Sequence, residues 1–560
     1  MLSPLSVIAE SLRLTRPLKK ETSIWRPVLS NDGPEQRVLA TPKSYHSLPV
    51  RNPRRPMTHY KDLRSYLTAL QAIGELQAIA HPVELDLEIG AISRRAGETG
   101  QAAPLFENIR GKDGFRVLGA PGGISSKPGQ WLARIAMAVG LPSTASGRDI
   151  VETFAAGRGK PMIPPRIVET GPCKENIQTG EQFDLGELPA PLLHEGDGGR
   201  YLNTFGIICC ETPDKSWRSW SIARIMVVDG KRMAGIIAPN QHVGMVRKTW
   251  TDIGQDMPFA LALGVQPILP FVGGMPLPEY VNEVDYAGAV TGEPIEVIKA
   301  ETVDVLVPAT AEIVVEGYVS QTETAPEGPM GEYAGYLWEG PPTPKPVYNV
   351  TAITHRDRAI LPISVAGEPP EENHTAWGIP NAGEIVFLLR EAGFPVATAW
   401  SPLESANHWI VIAVDRDWRS KTGLRSDELC RRVAEILFEK KAGMGTPKYI
   451  VVNDDVDITN TKEVVWAFAT RNHPGSQGQL IYNDENANPL IAYIDDAEKS
   501  SSRTTKVIYN CLDPEHLHGK LPKRSSFHFA YPAEIQQRVL DNWTSYGYSA
   551  DGALKESVTP

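Results

Sequence analysis

T-A-P-E-G-P-M-G-E-Y-A-G-Y, residues 324–336, contains three glycines and two prolines and cannot form a helix. Proline lacks an amide donor and has a fixed φ, whereas glycine adopts backbone conformations that other residues avoid, so the segment is predicted to be a loop with a defined path. This loop carries two acids, Glu327 and Glu332, beside Met330 and Tyr333. Apolar surroundings raise the pKa of a carboxyl group and suit it for proton transfer, although a solvated turn is equally compatible with the pattern.

The run W-R-S-W-S-I-A-R-I-M-V-V-D, residues 217–229, is typical of an apolar β-strand, but it contains the basic residue Arg224. Side chains alternate between the two faces of a strand, so Arg224 is predicted to share a face with Ile222 and Met226. If that face is buried, the guanidinium group needs a carboxylate or an anionic ligand beside it, whereas on an edge strand it would reach water. The dipeptide Asp229-Gly230 then predicts a hairpin turn.

The composition is that of a protein with several hydrophobic cores. A chain of 560 residues with 41% hydrophobic residues predicts three or four domains. The five cysteines are scattered without a C-x-x-C pair, which favours reduced thiols over a disulfide framework or a zinc site. Cys209 and Cys210 are adjacent in a strand-like run, and we expect them to point to opposite faces and to serve packing.

The charge of the chain excludes one class of partner. A net charge of −11 and a pI near 5.7 argue against nucleic acid, because binding to a phosphate backbone needs a basic surface. The longest uncharged stretch, residues 257–278, is interrupted by prolines and by Gly273-Gly274. We therefore predict short strands and loops there rather than a membrane-spanning helix, and no membrane partner.

The first 56 residues differ from the rest of the chain. They contain ten Lys and Arg residues against four Asp and Glu residues, a local net charge of +6. This basic extension is compatible with a mitochondrial transit peptide, and equally with a disordered segment ahead of a cytoplasmic enzyme. Its removal is expected to leave activity unchanged.

The remaining chain reads as three parts followed by a short tail. The first part starts with a helix whose apolar stripe includes Leu63, Tyr66, Leu67, Leu70 and Ile73, and the second is rich in strands, glycine and proline. In the third part we predict a helix at 383–392, strands at 396–400, 409–415 and 449–453, and a helix capped by Ser426 that closes near Gly443. The predicted boundaries are 57–168, 169–370, 371–550 and 551–560.

Several motifs occur in order along the chain: S-W-S-I-A-R at 219–224, P-N-Q-H at 239–242, N-E-V-D-Y at 282–286 and E-G-P-M-G-E at 327–332. Together they resemble the UbiD-type decarboxylases, most closely the fungal ferulic acid (phenylacrylic acid) decarboxylases, from about His59 to Tyr548. The resemblance implies a mixed α+β fold with a small N-terminal α/β domain, a central split β-barrel that holds the cofactor, and a C-terminal α/β oligomerisation domain. It also implies a homodimer.

The resemblance implies a reversible, non-oxidative decarboxylation of aromatic or α,β-unsaturated acids of the cinnamic or ferulic type. The reaction would proceed through a covalent adduct with prenylated FMN, which a separate flavin prenyltransferase supplies. By position, Arg224 lies by the substrate carboxylate, Glu332 protonates the carbon, and Glu327 pairs with Arg224. Three alternatives remain: a hydroxybenzoate or heteroaromatic acid decarboxylase, an ordinary-flavin oxidoreductase and an inactive binding homologue. The chain has no strand-linked G-x-G-x-x-G fingerprint, which argues against the oxidoreductase.

The same resemblance implies that the cofactor phosphate is held through Mn²⁺ (or Mg²⁺) and K⁺. The implied metal ligands are Ser219, His242 and Glu283, with Ser219 standing where the family usually has an asparagine. A serine hydroxyl is a poorer ligand than an amide oxygen, so metal affinity is expected to fall. Lys441, which we predict near the end of the Ser426 helix, is implied to reach the phosphate. The other implied cofactor-binding residues are Trp220, Ser221, Ile222, Ala223, Arg224 and Gln241.

Three positions of the implied substrate pocket are altered relative to the ferulate enzymes: Tyr333, Trp377 and Asn488. If they face the pocket, tyrosine and asparagine add hydrogen-bonding groups and tryptophan narrows the space. Such a pocket would favour a compact hydroxylated ring over a long methoxylated acrylic acid.

Overall fold

The computed structural model describes residues 59–518, 520 and 522–549. The predicted basic extension over residues 1–56 and the predicted tail over 551–560 lie outside these residues. Within the described part of the chain, no helix is both long and apolar enough to cross a bilayer.

The first part pairs helices with a small sheet. Helix α1 begins after Asp62, whose side chain accepts a hydrogen bond from the Ser65 amide at 2.8 Å, and its predicted apolar stripe is buried at Leu63, Tyr66, Leu67 and Leu70. The elements are α1 (Leu63–Ala72), β1 (Leu76–Ile79), α2 (Glu88–Glu98), β2 (Ala103–Phe106), β3 (Phe115–Gly119), α3 (Ala133–Ala138) and α4 (Gly147–Arg158). The sheet order is β1-β2-β3, completed by the later strand β16 (Ala359–Ile363).

The central part is built on a curled, antiparallel, nine-stranded sheet, as the split-barrel prediction expected. Its main path runs β6-β9-β10-β15-β14-β11-β7-β8, and β5 pairs with β15. The strands are β5 (Asn176–Thr179), β6 (Tyr201–Asn203), β7 (Ile207–Glu211), β8 (Arg218–Ser221), β9 (Ile225–Val227), β10 (Arg232–Gly235), β11 (Met257–Leu263), β14 (Ile313–Glu327) and β15 (Thr343–His355).

Both faces of this sheet are covered. On β7, Ile207 and Cys209 pack into one hydrophobic core, whereas Ile208 and Cys210 pack into another. Both cysteines are buried and free, so their predicted packing role on opposite faces is confirmed.

The predicted single strand over residues 217–229 was wrong. The run forms two strands, β8 and β9, which lie near opposite ends of the sheet path. Residues 222–224 connect β8, at one edge of the sheet, to β9, which lies next to the strand at the other edge. Arg224 therefore lies in a connection between two strands rather than on a strand face. The hairpin at Asp229-Gly230 is confirmed, because β9 pairs antiparallel with β10 through Val227 and Met233.

Residues 257–278 also differ from the prediction of short strands and loops. Every residue of β11 is buried, and helix α6 (Ile268–Gly273) follows it. Helix formation is compatible with Pro267 and Pro270, because proline is tolerated where the first turn of a helix has no amide partner. The other elements of this part are β4 (Arg166–Ile167), α5 (His242–Asp252), α7 (Glu283–Thr291), β12 (Glu296–Lys299) and β13 (Leu306–Pro308).

The third part alternates helices and strands around a five-stranded sheet of order β17-β18-β19-β21-β20. The three predicted strands are present as β17, β18 and β19. The strands are β17 (Val396–Trp400), β18 (Trp409–Val414), β19 (Lys448–Asn453), β20 (Gln479–Asn486) and β21 (Arg503–Cys511). The helices are α8 (Ile379–Glu391), α9 (Trp418–Thr422), α10 (Ser426–Leu437), α11 (Lys441–Met444), α12 (Thr461–Arg471), α13 (Asp496–Ser501), α14 (Phe527–Ala530) and α15 (Ala533–Asp541).

Two helix predictions in this part need correction. Helix α8 starts at Ile379, directly after a π-helical turn over His374–Gly378, and not at residue 383. Ser426 is the first residue of α10 rather than its cap, and α10 ends at Leu437. Lys441 therefore begins a separate short helix, α11. This helix packs closely against the end of α10, because a Cβ at Gly443 would lie 2.1 Å from the Leu437 carbonyl oxygen.

Candidate active site

A cavity of about 350 Å³ lies beside the gap between β8 and β9. Residues 221–224 line it from the central part and residues 330–333 from the loop after β14. The third part contributes Lys441, Ala442, Met444, Gly445 and residues 488–490. Its volume falls in the range of small-molecule and cofactor sites.

Arg224 lies on the wall of this cavity between the two acids that the sequence singled out. Its Nε and Nη2 donate to Glu327 at 2.8 and 3.3 Å, and its Nη1 pairs with Glu332. Only 18% of the Arg224 side chain is exposed. The prediction that a buried guanidinium needs a carboxylate is confirmed, with two carboxylates in place of one.

The loop that carries Glu332 is shorter than predicted. β14 runs on to Glu327, which pairs with Thr343 of β15, so the loop starts at Gly328. Its path is held by a second segment, because the Gly198 amide donates to the Pro329 carbonyl at 2.7 Å. A Cβ at Gly198 would lie 2.0 Å from the Gly328 carbonyl oxygen, so only glycine allows this approach.

The two acids have different surroundings. Glu327 is fully buried and accepts hydrogen bonds from Arg224 and from the Tyr201 hydroxyl, the latter at 2.8 Å. Burial raises the pKa of Glu332, and the nearby Arg224 charge opposes that rise. A carboxyl group with a raised pKa is suited to donate a proton.

Tyr201 is a site residue that the sequence reasoning did not single out. Its hydroxyl contacts Glu327 across 126 positions of sequence. A sequence signal was present, since Tyr201 ends the D-G-G-R-Y segment whose Asp197 also accepts a hydrogen bond from the Gly331 amide at 3.2 Å.

The other end of the cavity is suited to an anion. His242 and Glu283 are the first residues of α5 and α7, so two helix N-termini with free amide groups face this region. His242 Nδ1 lies 2.6 Å from Glu283 Oε1. Buried His242 Nε2 and Gln241 Oε1 have no hydrogen-bond partner among the described residues, and both residues line the cavity. Such atoms are normally satisfied by a ligand or water.

The sequence matches the three domains described for the 3-octaprenyl-4-hydroxybenzoate carboxy-lyase (UbiD) family. The N-terminal domain matches residues 67–154, the Rift-related domain 166–369 and the C-terminal domain 374–511. The chain belongs to this family. It is accordingly a carboxy-lyase, and the resemblance found in the motifs is confirmed.

The chain aligns with relatives of this family over most of its length. The chain is 42% identical to the pyrrole-2-carboxylic acid decarboxylase of Pseudomonas aeruginosa and 38% identical to ferulic acid decarboxylase 1 of Saccharomyces cerevisiae, each over 87% of this chain and 98% of the relative. The UbiD-class enzyme HmfF from Pelotomaculum thermopropionicum, solved in complex with FMN, superposes with a TM-score of 0.70 at 28% identity, over 83% of this chain and 97% of the other.

The cavity fits the phosphate-bearing flavin of UbiD-class enzymes at its anion-binding end. Lys441 lines the cavity at the start of α11, and burial lowers its pKa to about 8. A buried cation without an ion-pair partner is stabilised by an anionic ligand. A lysine in the last turn of a helix is favoured by the helix macrodipole without any ligand. That explanation does not apply to Lys441, because this residue lies outside α10 and begins α11.

The remaining predicted cofactor residues divide into two groups. Ser221, Ile222 and Ala223 line the cavity together with Arg224. Ser219 and Trp220 do not line it: the Ser219 hydroxyl is buried against the Ser221 hydroxyl at 2.7 Å, and the Trp220 amide donates to Glu283 at 2.9 Å.

The donor set for a metal is therefore His242 and Glu283, with Ser219 set behind the wall. No cluster of three or more His, Cys, Asp or Glu side chains among the described residues is arranged to hold a metal ion. A divalent ion would need oxygen atoms from cofactor and water beside these two side chains. The roles of Ser219, His242 and Glu283 as metal ligands stay predictions.

The three altered pocket positions all line the cavity. The Tyr333 and Trp377 rings meet edge to face at 5.5 Å, and the Tyr333 hydroxyl lies 3.5 Å from the Leu490 carbonyl oxygen. His374 fixes the backbone of Tyr333, because its Nε2 lies 2.8 Å from the Tyr333 carbonyl oxygen. Asn488 lines the same cavity, so its lining combines aromatic rings with hydrogen-bonding groups.

Proposed function

We propose that this protein is a prenylated-FMN-dependent decarboxylase of compact aromatic or heteroaromatic acids. The observation that carries the proposal is Arg224, held between Glu327 and Glu332 on the wall of the cavity. Such an arrangement places a cation, a fixed carboxylate and a protonatable acid at one point of a cofactor-sized space.

Each of the three residues has a proposed role. Arg224 binds the substrate carboxylate, and Glu327, buried and hydrogen-bonded by Tyr201, keeps the guanidinium in place. A carboxylate anion that loses CO₂ must take up one proton to give a neutral product. Glu332 supplies that proton, and its raised pKa favours the neutral form that can donate it.

When bound, prenylated FMN takes up the electron pair that the departing CO₂ leaves behind. Gln241, His242 and Lys441 would hold its phosphate end, together with Mn²⁺ or Mg²⁺ at His242 and Glu283. The proposal extends to K⁺ at the same end, to a flavin prenyltransferase as supplier, and to a homodimer working in the cytoplasm. The structures of UbiD-class relatives with FMN and with prenylated FMN support the cofactor assignment.

A compact substrate is favoured by the walls of the cavity. Trp377 and Tyr333 narrow it, and Asn488 offers an amide that can pair with a ring N–H or hydroxyl group. The relative at 42% identity is named for pyrrole-2-carboxylic acid, which has a small N–H ring. A cinnamic or ferulic acid is the second candidate, supported by the yeast relative at 38% identity.

The test is a substrate panel on protein co-produced with a flavin prenyltransferase, with released CO₂ as the readout. Pyrrole-2-carboxylate, a hydroxybenzoate, cinnamate and ferulate are compared by kcat/KM. We expect the small rings to exceed ferulate by at least about tenfold, the size of effect that one misplaced group produces in a pocket. Ferulate as the best substrate would contradict the compact-ring proposal, and an ordinary FMN spectrum without CO₂ release would contradict the decarboxylase role.

A further inference from the structure

Glu372 is an acid of the cavity that the proposed chemistry does not use. It lines the cavity, is 3% exposed, and its Oε1 has no hydrogen-bond partner among the described residues. The other acids of the lining are Glu283, beside His242, and Glu332, paired with Arg224. Glu372 makes no ion pair with any cation in the described part of the chain.

A second, smaller cavity lies behind Glu372. It has a volume of about 20 Å³, enough for a single water molecule, and Glu372 lines both cavities. Three buried polar atoms around the small cavity have no hydrogen-bond partner among the described residues: Ser93 Oγ, Glu371 Oε1 and Glu372 Oε1. Glu372 thus lies between the active-site cavity and a small polar pocket, which Arg94 and Arg134 also line.

The charged groups nearby are engaged elsewhere. Arg134 donates its Nε to Glu75 at 3.0 Å, and Arg94 donates to Glu98 at 2.9 Å. Glu372 Oε1 and Arg134 Nη1 both lie next to Gly123, at 3.2 and 3.4 Å from the position that a Cβ would take there. Arg134 is therefore a cation close to Glu372, but the two side chains form no ion pair.

The neighbouring Glu371 and His374 side chains supply no positive charge to the carboxyl group. Glu371 is also buried, and its second oxygen accepts from the Ser364 hydroxyl at 3.0 Å. The amide of Glu371 donates to His374 Nδ1, and burial lowers the pKa of His374 to about 4, so this imidazole is uncharged at neutral pH. Burial raises the pKa of Glu372 to about 7, and the adjacent Glu371 carboxyl group adds to the rise.

We propose that Glu372 is a protonated part of the active-site wall in weakly acidic solution, and that its ionisation as the pH rises excludes anionic acids from the cavity. This inference rests on the proposed function, because the anion is the substrate carboxylate. A wall carboxylate without its own cation repels a second carboxylate, whereas the neutral acid can donate a hydrogen bond into the cavity. Above its pKa, kcat/KM should fall about tenfold per pH unit, as for any single required proton.

Two substitutions should move this alkaline fall in opposite directions. Glu372→Gln removes the ionising group and keeps its volume, so the fall should shift upward by at least about one pH unit. Glu371→Gln removes the neighbouring carboxyl group, whose own pKa burial raises to about 7, so Glu372 should ionise earlier and the fall should shift downward. Glu316→Gln is the matched control, because Glu316 is a buried acid with a raised pKa outside the cavity lining, and its profile should match the wild type.

An infrared titration separates this inference from the decarboxylase assignment, because it needs no turnover. Burial raises the pKa of Glu371 to about 7 as well, so wild-type protein should show carboxylic-acid C=O absorption from both groups that disappears as the pH rises through about 7. Glu372→Gln should lose part of this absorption change, while Glu316→Gln keeps the contributions of both groups. The inference would be overturned if kcat/KM fell at the wild-type pH in both Glu372→Gln and Glu371→Gln. It would also be overturned if the titrating C=O band of Glu372→Gln were as large as that of the wild type. If Glu372→Gln does not fold, the direction of shift in Glu371→Gln decides the question.

Discussion

Arg224 is held by two acids that play different parts. The fixed one, Glu327, is buried and has a second donor in Tyr201, so the guanidinium group keeps its position whether or not a ligand is bound. The other, Glu332, is partly exposed to the cavity and resists ionisation because it is desolvated. Burial and hydrogen bonding thus give two chemically identical side chains different roles.

Replacement of Glu332 by glutamine removes the proton donor and keeps the shape of the side chain. We expect turnover to fall by about 10² to 10⁴-fold, the usual contribution of a positioned acid, while the flavin stays bound. Released CO₂ and the absorption spectrum of the purified protein give the two readouts. Glu323→Gln, on the exposed side of β14, is the control and should keep wild-type activity. Near wild-type turnover in Glu332→Gln would contradict the role.

Lys441 and Lys440 form a natural pair for testing phosphate binding. Lys441 lines the cavity, whereas Lys440 is exposed. Lys441→Met should weaken FMN binding by about tenfold or more, since a charged hydrogen bond contributes about 1.5–3 kcal/mol. Calorimetric titration with FMN measures the affinity. Lys440→Met should bind FMN like the wild type, and equal affinities in both variants would remove Lys441 from the cofactor site.

At the scale of elements, the site depends on how β14 ends and on how the following loop is held. The long pairing of β14 with β15 carries Glu327 into the site as part of a sheet. The loop with Glu332 has no such ladder. It is supported by two hydrogen bonds, from the Gly198 amide to the Pro329 carbonyl and from the Gly331 amide to the Asp197 carboxylate. The position of Glu332, the proposed proton donor, is therefore set by a contact between two loops.

Gly198→Ala tests that contact. The added methyl group would meet the Gly328 carbonyl oxygen at 2.0 Å, so the loop must move. We expect kcat to fall by about 10²-fold, because small displacements of reacting groups are costly, while the circular dichroism spectrum stays that of the wild type. Gly97→Ala, in α2 with no atom within 4 Å of the new methyl group, is the control and should retain full activity. Full activity in Gly198→Ala would show that the loop is positioned by other contacts.

The sequence predicted the chemistry of this region better than its geometry. Arg224, Glu327 and Glu332 were recognised because a cation in an apolar run and acids in a glycine-proline segment are unusual locally. The predicted single strand over 217–229 was wrong, because period-two alternation does not reveal that residues 222–224 connect strands near opposite ends of the sheet path. Tyr201 was missed for a related reason, since its partner is 126 residues away.

At the scale of the whole molecule, the cavity joins separate stretches of the chain. Its lining combines the central sheet, the π-helical turn before α8, the start of α11 and the segment 488–490. A ligand bound there contacts the central and the third part together. Binding should therefore be coupled to the stability of the whole fold rather than to one part of it.

Flavin should accordingly stabilise the protein as a unit. At FMN about a hundred times above Kd, we expect the free energy of unfolding to rise by about 2.7 kcal/mol. Thermal unfolding followed by calorimetry, with and without FMN, measures the shift, and Lys441→Met should show a smaller one at the same FMN concentration. A transition that moves for only a fraction of the unfolding enthalpy would indicate that flavin stabilises one part alone.

The division of the cavity between chain segments has a consequence for redesign. The acids and the arginine belong to the antiparallel sheet and its adjoining loop, whereas Trp377 and Asn488 come from stretches that share no main-chain ladder with them. Exchanges at those two positions can alter the size and polarity of the accepted ring without disturbing the ion pair beneath it. The scaffold thus permits selectivity to be tuned by substitutions that leave the reactive centre as it stands.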